Sequence, residues 1–130
     1  MIADSSFIID IMRKSKDALA KLEALSRDGT TQYLTTPTVM EIAVGISLAQ
    51  LPEKEQNRID TIIGDFQVLP LDAISAWRAG IELGRLRKEG LLVDPIDAQI
   101  AGIALQHNEM VVTRNQRHFE RFEGLHVESY

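Results

Sequence analysis

The chain has 130 residues, a length that predicts one domain spanning residues 1–130 with room for a hydrophobic core. Its composition, 45% hydrophobic and 25% charged, is typical of a globular protein, and the lack of cysteine excludes disulfides, zinc–thiolate sites and a cysteine nucleophile. The formal net charge of −5 disfavours non-specific nucleic-acid binding, which needs Lys and Arg to neutralise phosphates.

The N-terminal apolar run has no basic region before it, and Asp4 and Asp10 interrupt it, so we expect no signal peptide. No apolar stretch approaches the ~20 residues of a membrane span. We therefore expect a cytoplasmic protein without membrane contacts.

Short apolar segments alternate with helical patterns in the first half of the chain. We predict a strand at 1–4, helices at 5–13 and 16–28, a strand at 32–35, and helices at 37–49 and 52–65. Thr36 is the expected cap of the third helix, with Pro37 at its first position. The helices 37–49 and 52–65 carry more apolar residues than one core face needs, which fits either a fuller core or a contact between two copies.

The second half continues the alternation. We predict a strand at 66–69, a helix from Asp72 to about Gly90, a helix from Asp94-Pro95 to about Asn108, a strand at 110–113, a short helix at 116–122 and an edge strand at 125–127. Strands separated by helices predict an α/β fold with a parallel sheet covered on both faces. Sites in such folds gather at the carboxyl ends of the strands.

Four polar residues lie beside apolar segments, at or near the ends of predicted elements: Asp4, Glu41, Asp97 and Asn115. Asp4 and Asn115 follow two different strands, so both are expected at one edge of the sheet. Carboxylates next to a core need a cationic partner, and no Lys or Arg is spaced to pair with all of them. A divalent metal is therefore the natural candidate.

Purely structural roles remain open for the acidic residues. Asp4 could be an N-cap, and Glu41 could form a capping box with Thr38, although Pro37 argues against that box. Capping explains Asp94 well and Asp97 less well, because Asp97 also heads an apolar stripe.

Oxygen ligands suit Mg²⁺ or Mn²⁺, and the chemistry they indicate is metal-assisted phosphodiester hydrolysis. The three histidines lack zinc-site spacing, and no glycine-rich phosphate loop or G-x-S-x-G motif occurs.

The chain resembles the PIN-domain ribonucleases and, within them, the VapC-type toxins. Four segments carry the resemblance, in the expected order: 2–10, 36–45, 97–104, and 112–115 with Phe119. The resemblance implies a three-layer α/β/α fold with a central, mainly parallel sheet. It also implies that Asp4, Glu41 and Asp97 are the catalytic, Mg²⁺-binding residues, with Mn²⁺ as a substitute.

Other residues take supporting roles by the same resemblance. Ser5 or Ser6 would supply a hydroxyl beside Asp4, Thr113 and Asn115 would line the fourth position, and Asp94 could assist. Relatives often have Asp where this chain has Asn115 and His118, and the neutral Asn115 weakens the case for a second metal.

The implied reaction is endonucleolytic cleavage of structured RNA such as tRNA or rRNA. Local basic residues that could meet the RNA are Arg13, Lys14, Arg114 and Arg117. The implied partners are a cognate antitoxin in the active-site groove, operator DNA only through that antitoxin, and a second copy of the chain in a homodimer.

Two other classes of function compete with a ribonuclease. A receiver domain or phosphatase also places acids at strand ends, but Ser6 stands where dehalogenase-type phosphatases need a second Asp. The other is a non-catalytic PIN-like binding module, whose site would hold a structural metal or none and which Asn115 would suit.

Overall fold

The computed structural model describes residues 1–130, which form five strands and seven helices. The elements are β1 (Ile2–Ala3), α1 (Ser5–Met12), α2 (Lys16–Arg27), β2 (Tyr33–Thr35), α3 (Thr36–Ser47), α4 (Pro52–Ile63), β3 (Gln67–Leu69), α5 (Ala73–Lys88), α6 (Pro95–His107), β4 (Val111–Val112), α7 (Gln116–Phe119) and β5 (Val127–Glu128). Every predicted element is present, and most are one to three residues shorter than the sequence pattern suggested.

The sheet has the strand order β3-β2-β1-β4-β5, and all four pairings are parallel. The predicted parallel α/β fold is therefore confirmed. β1 lies at the centre, so its carboxyl end is flanked by the ends of β2 and β4. β5 is an edge strand, as predicted.

Successive residues of the central strands face opposite sides of the sheet, which divides the core in two. Ala3 and Val112 pack with Phe7, Ile8 and other residues of α1–α4. Their neighbours in the central strands, Ile2 and Val111, pack with the residues of α5, α6 and α7 on the other face. The result is the expected three-layer α/β/α arrangement.

The helix pair α5 and α6 packs closely because Gly102 has no side chain. A Cβ at Gly102 would lie 2.5 Å from the carbonyl oxygen of Ser75 and 2.8 Å from Cβ of Ala79. This contact fixes the depth at which α6, which carries Asp97, lies against α5.

The cap of α3 is one residue earlier than predicted. Thr35, not Thr36, is the N-cap, because its side chain accepts a hydrogen bond from the backbone N–H of Thr38 over 3.2 Å. Thr36 instead accepts a 2.9 Å hydrogen bond from the backbone N–H of Leu71, which joins the starts of α3 and α5.

The apolar excess on α3 and α4 is only partly used in the core. Ile59 is buried, whereas Leu48 is 81% exposed and Leu51 is 62% exposed. None of the seven helices combines the length and hydropathy needed to cross a membrane.

Candidate active site

Asp4 lies at the carboxyl end of β1 and is only 3% exposed. It holds the N-cap position of α1, but its side chain makes no capping hydrogen bond. Its Oδ2 instead accepts hydrogen bonds from the hydroxyls of Ser6 over 2.7 Å and Thr113 over 2.8 Å. Oδ1 has only a long contact, 3.5 Å, with the Ser5 hydroxyl. Capping therefore does not explain the Asp4 carboxylate, and Oδ1 is its less engaged oxygen.

Asp94 and Asp97, three residues apart, have different environments. Asp94 caps α6 by accepting a 2.8 Å hydrogen bond from the backbone N–H of Ile96, as predicted. Asp97 lies in the first turn of α6, and its Oδ2 is 3.3 Å from Nδ1 of His118. Asp97 thus contacts another element and makes no hydrogen bond to the backbone at the helix end.

Glu41 lies in α3 and is half-buried. The proposed capping box with Thr38 does not form, because Thr35 caps the helix and its hydroxyl bonds to the Thr38 hydroxyl over 2.8 Å. No Lys or Arg forms an ion pair with Glu41 or Asp4.

The charges of neighbouring carboxylates raise the pKa values of Glu41 and Asp97, which indicates that the groups lie near one another in one site. Burial raises the pKa of Asp97, and the charge of Asp4 raises it further, while the contact with His118 partly opposes both effects. Burial also raises the pKa of Glu41, opposed by the Ser5 hydroxyl and reinforced by Asp4, Asp97 and Asp94. A cation placed among these groups would relieve that repulsion.

The donor set fits a hard divalent cation. All donors from Asp4, Glu41 and Asp97 are oxygens, which Mg²⁺ and Mn²⁺ prefer. No three carboxylate or imidazole groups converge as a closed metal cage requires. Mg²⁺ commonly uses only one or two carboxylates and keeps several waters, so an open arrangement suits it.

The segment after β4 supplies the fourth side of the site. Thr113 is fully buried, and its hydroxyl accepts a 2.9 Å hydrogen bond from the backbone N–H of Asn115. The Asn115 side chain is exposed and forms no hydrogen bond. It borders a surface depression of about 340 Å³ that is lined by no hydrophobic residue and that includes Arg114, Arg117 and His118.

The four basic candidates are not equivalent. Arg114 is paired with Asp10, while Arg117 is exposed and has no ion-pair partner. Lys14 lies in the exposed turn between α1 and α2. Arg13 lines a groove of about 370 Å³ between α1, α3 and α4, and Glu41 lines the same groove.

Three contacts near the site were not predicted from the sequence. They are the His118–Asp97 contact, the Arg114–Asp10 ion pair, and a 2.8 Å hydrogen bond from the Tyr130 hydroxyl to Asp10. Asp10 carried a usable signal, because an acid within the apolar run of α1 needs a partner.

A PIN-domain family model matches residues 1–125 of the chain. The chain is 34% identical over 97 residues, 75% of this chain and 74% of the relative, to the "tRNA(fMet)-specific endonuclease VapC" of Shigella flexneri. It is 32% identical to the protein of the same name from Salmonella typhimurium, over 83% of this chain and 82% of that one.

Solved structures of VapBC complexes have a similar fold. The structure of DNA-bound VapBC from Salmonella typhimurium superposes with a TM-score of 0.88 at 28% identity, covering 98% of this chain and 96% of that chain. VapBC2 from Rickettsia felis, bound to a promoter DNA fragment, gives a TM-score of 0.92 at 21% identity, covering 99% and 97%. The chain therefore belongs to the PIN-domain family and, within it, to the VapC-type ribonucleases.

Proposed function

We propose that this chain is a Mg²⁺-dependent endoribonuclease, the toxin of a toxin–antitoxin pair, with Mn²⁺ as a substitute metal. The observation that carries the proposal is the group of Asp4, Glu41 and Asp97, carboxylates from three elements of which two have raised pKa values. Two of the three, Asp4 and Glu41, have no cationic side chain bonded to them.

The three carboxylates would have different roles in metal binding and in positioning the attacking water. Asp4 and Asp97 would hold the metal, with Oδ1 of Asp4 as the less engaged donor. Glu41 would bind or orient the attacking water through its half-buried carboxylate. When bound, the metal would lower the pKa of a water ligand and offset charge on the phosphate. Ser5, Ser6 and Thr113 act by orienting Asp4 and Glu41.

Cleavage of total RNA by purified, antitoxin-free protein tests the proposal. Discrete fragments are expected with Mg²⁺ or Mn²⁺ and none with EDTA. Asp97→Asn should abolish cleavage, while Asp65→Asn, an exposed substitution at the other end of the sheet, should not. Cleavage by Asp97→Asn at the wild-type rate would refute the site, and no cleavage by folded, metal-loaded protein would favour the non-catalytic binding module.

A structured RNA, tRNA or rRNA, is the proposed substrate. The name of the Shigella relative supports tRNA(fMet) as the first RNA to assay. Arg117, Arg13 and Lys14 are the proposed phosphate contacts, because each is exposed and forms no ion pair. Arg114 is exposed as well, but its guanidinium is paired with Asp10. Cleavage of tRNA(fMet) but not of an elongator tRNA would identify the same target, and equal cleavage of both would exclude that specificity.

A cognate antitoxin is the proposed protein partner, as in the VapBC structures of similar fold. The antitoxin would occupy the groove at Glu41 and would bind operator DNA on behalf of the complex. DNA binding by this chain alone is disfavoured by its net charge of −5. We also propose a cytoplasmic location, because the proposed RNA substrate and antitoxin are cytoplasmic.

A homodimer is also proposed. Exposed apolar side chains on α3 and α5 would supply its contact, among them Met40, Val44, Trp77 and Ile81. Trp77→Ser should convert a dimer to a monomer in light scattering, and a wild-type monomer at all concentrations would exclude the dimer.

A further inference from the structure

A second charged cluster adjoins the proposed active site and is connected to it through Arg114. Asp10 in α1 is 7% exposed, and Nη1 of Arg114 lies 2.8 Å from each of its carboxylate oxygens. The hydroxyl of Tyr130 donates to Oδ2 of Asp10 over 2.8 Å. We refer to Asp10, Arg114 and Tyr130 as the buttress.

The backbone of Arg114 connects the buttress to Asp4. Its N–H donates to the hydroxyl of Ser6 over 3.1 Å, and that hydroxyl donates to Oδ2 of Asp4 over 2.7 Å. Ser6 and Asp10 are four residues apart and share one face of α1. Arg114 therefore bridges one turn of α1, with its backbone at Ser6 and its guanidinium at Asp10.

Tyr130 completes the buttress from outside the residues 1–125 that match the family model. Its ring packs against Phe7, with the ring centroids 4.8 Å apart. Burial raises the pKa of the Tyr130 hydroxyl above its ordinary value, and the hydrogen bond to Asp10 raises it further. The hydroxyl therefore stays protonated, and remains a donor, throughout the neutral range.

The connection has a direct consequence for Asp4. Ser6 and Thr113 both bond to Oδ2, and their hydroxyls lie 3.2 Å apart, so the two donors act on the same oxygen. If the segment 113–115 moved away from α1, Asp4 would lose Thr113 and the Ser6 hydroxyl would lose its contact with the Arg114 backbone. The Asp4 carboxylate would then rotate, and Oδ1 would lose its fixed direction.

We propose that Asp10, Arg114 and Tyr130 are positioning residues of the ribonuclease: they hold the segment after β4 against α1, and so fix the oxygen with which Asp4 meets the metal. This rests on the proposed function, in which Asp4 is a metal ligand. It extends the functional site to the last residue described, Tyr130.

The sharpest test is Tyr130→Phe, which removes one hydroxyl and keeps the ring on Phe7. Groups that orient a metal ligand typically contribute about tenfold or more to metal affinity, and Tyr130 acts one contact further away. We therefore expect Mn²⁺ affinity, measured by calorimetry without RNA, to fall about three- to tenfold. kcat for RNA cleavage should fall with it, while KM for RNA stays within about twofold.

Two control variants separate positioning from stability. Tyr33→Phe alters the chain's other tyrosine, whose hydroxyl forms no hydrogen bond. Ile59→Val removes one methylene from the core beneath α4 and lowers stability, but it changes no hydrogen-bonding group of the buttress. Both should keep wild-type Mn²⁺ affinity at a temperature where each variant is fully folded. Arg114→Gln should lose more affinity than Arg114→Lys, which keeps the charge facing Asp10.

The outcomes are distinct. If Tyr130→Phe lowers Tm but leaves Mn²⁺ affinity and kcat at wild-type values, the buttress is only structural and the inference is wrong. If the wild-type protein binds no Mn²⁺, or binds it equally well after Asp97→Asn, the proposed function itself fails. Loss of affinity in Tyr130→Phe with retention in both controls supports the positioning role.

Discussion

The Thr113 hydroxyl donates to Oδ2 of Asp4 over 2.8 Å, joining two buried residues that lie 109 positions apart in the sequence. The same hydroxyl accepts the backbone N–H of Asn115 over 2.9 Å. Thr113 is thus the contact through which the end of β4 and the end of β1 become one site.

Thr113→Val tests this contact, because valine keeps the shape of threonine and removes its hydroxyl. Asp4 and the Asn115 N–H would each lose a partner in a buried setting, so the free energy of unfolding should fall by about 1–3 kcal/mol. Urea denaturation measures it. Thr113→Ser keeps the hydroxyl and should lose less, and a valine variant as stable as the wild type would show that the contact contributes nothing.

Removing charge at Asp97 should stabilise the metal-free protein while abolishing cleavage. Burial and repulsion from Asp4 both disfavour the charged form of Asp97, and Asp97→Asn removes both effects. Thermal unfolding in EDTA should therefore show a higher Tm for Asp97→Asn. Asp94→Ala should instead lower the Tm, because losing the cap of α6 should reduce the free energy of unfolding by about 1 kcal/mol. A lower Tm for Asp97→Asn would mean that another group already compensates its charge.

The stability of the metal-free protein should depend on pH through Glu41 and Asp97. Their pKa values are raised in the folded state above 4.5 and 3.8, so the folded chain takes up these protons at higher pH than the unfolded chain. Their contribution to stability is complete below those ordinary values and is lost as pH rises through the raised ones.

Asp72 has the opposite effect on stability. Hydrogen bonds, of which the one from the Ser75 N–H is the largest, lower the pKa of Asp72 to about 2, so its contribution to stability is lost as pH falls from 3.8 toward that value. The free energy of unfolding should be measured against pH for the wild type and for the double variant Glu41→Gln/Asp97→Asn. The loss of stability with rising pH that Glu41 and Asp97 cause should appear only in the wild type.

Bound metal should raise Tm by an amount that grows with pH. Protons compete with the metal for Glu41 and Asp97 at higher pH than for ordinary carboxylates, because both pKa values are raised. A ligand present at 100 times its Kd stabilises the folded state by about 2.7 kcal/mol. Scanning calorimetry with Mn²⁺ and with EDTA at two pH values measures this shift, and a shift that is independent of pH would exclude these carboxylates as ligands.

Gly102→Ala should destabilise the fold because its Cβ would meet the Ser75 carbonyl oxygen at 2.5 Å. Overpacking of this kind costs about 1–3 kcal/mol. Gly84→Ala is the matched control, since a Cβ there meets nothing within 4 Å and alanine favours the helix by roughly 0.5–1 kcal/mol. Equal Tm changes in the two variants would show that α5 and α6 can separate without loss.

Much of the site could be predicted because parallel strands bring their carboxyl ends together. Asp4 ends one short apolar strand and Asn115 follows another, and those positions were enough to predict that both lie at one edge of the sheet. Asp94 was recognisable as a cap from the proline after it. These features depend on local patterns that one segment of sequence contains.

The buttress depends on no such pattern. Asp10, Arg114 and Tyr130 come from α1, the loop after β4 and the end of the described chain, and only the assembled sheet brings them together. The cap of α3 failed for a different reason: Thr35 and Thr36 are both good caps, and only the contact of Thr36 with Leu71 decides between them.

The central position of β1 has a consequence for biosynthesis. One of its two neighbours is β4, and Thr113 at the end of β4 is made 109 residues later than Asp4 at the end of β1. A nascent or prematurely terminated chain that ends before β4 contains Asp4 but lacks Thr113, which orients it. Contacts so distant in sequence also form late in folding, because closing a long loop must precede them. Translation thus delays the assembly of a site that could damage RNA until β4 has been made, which leaves time for an inhibitor to be present when the site forms.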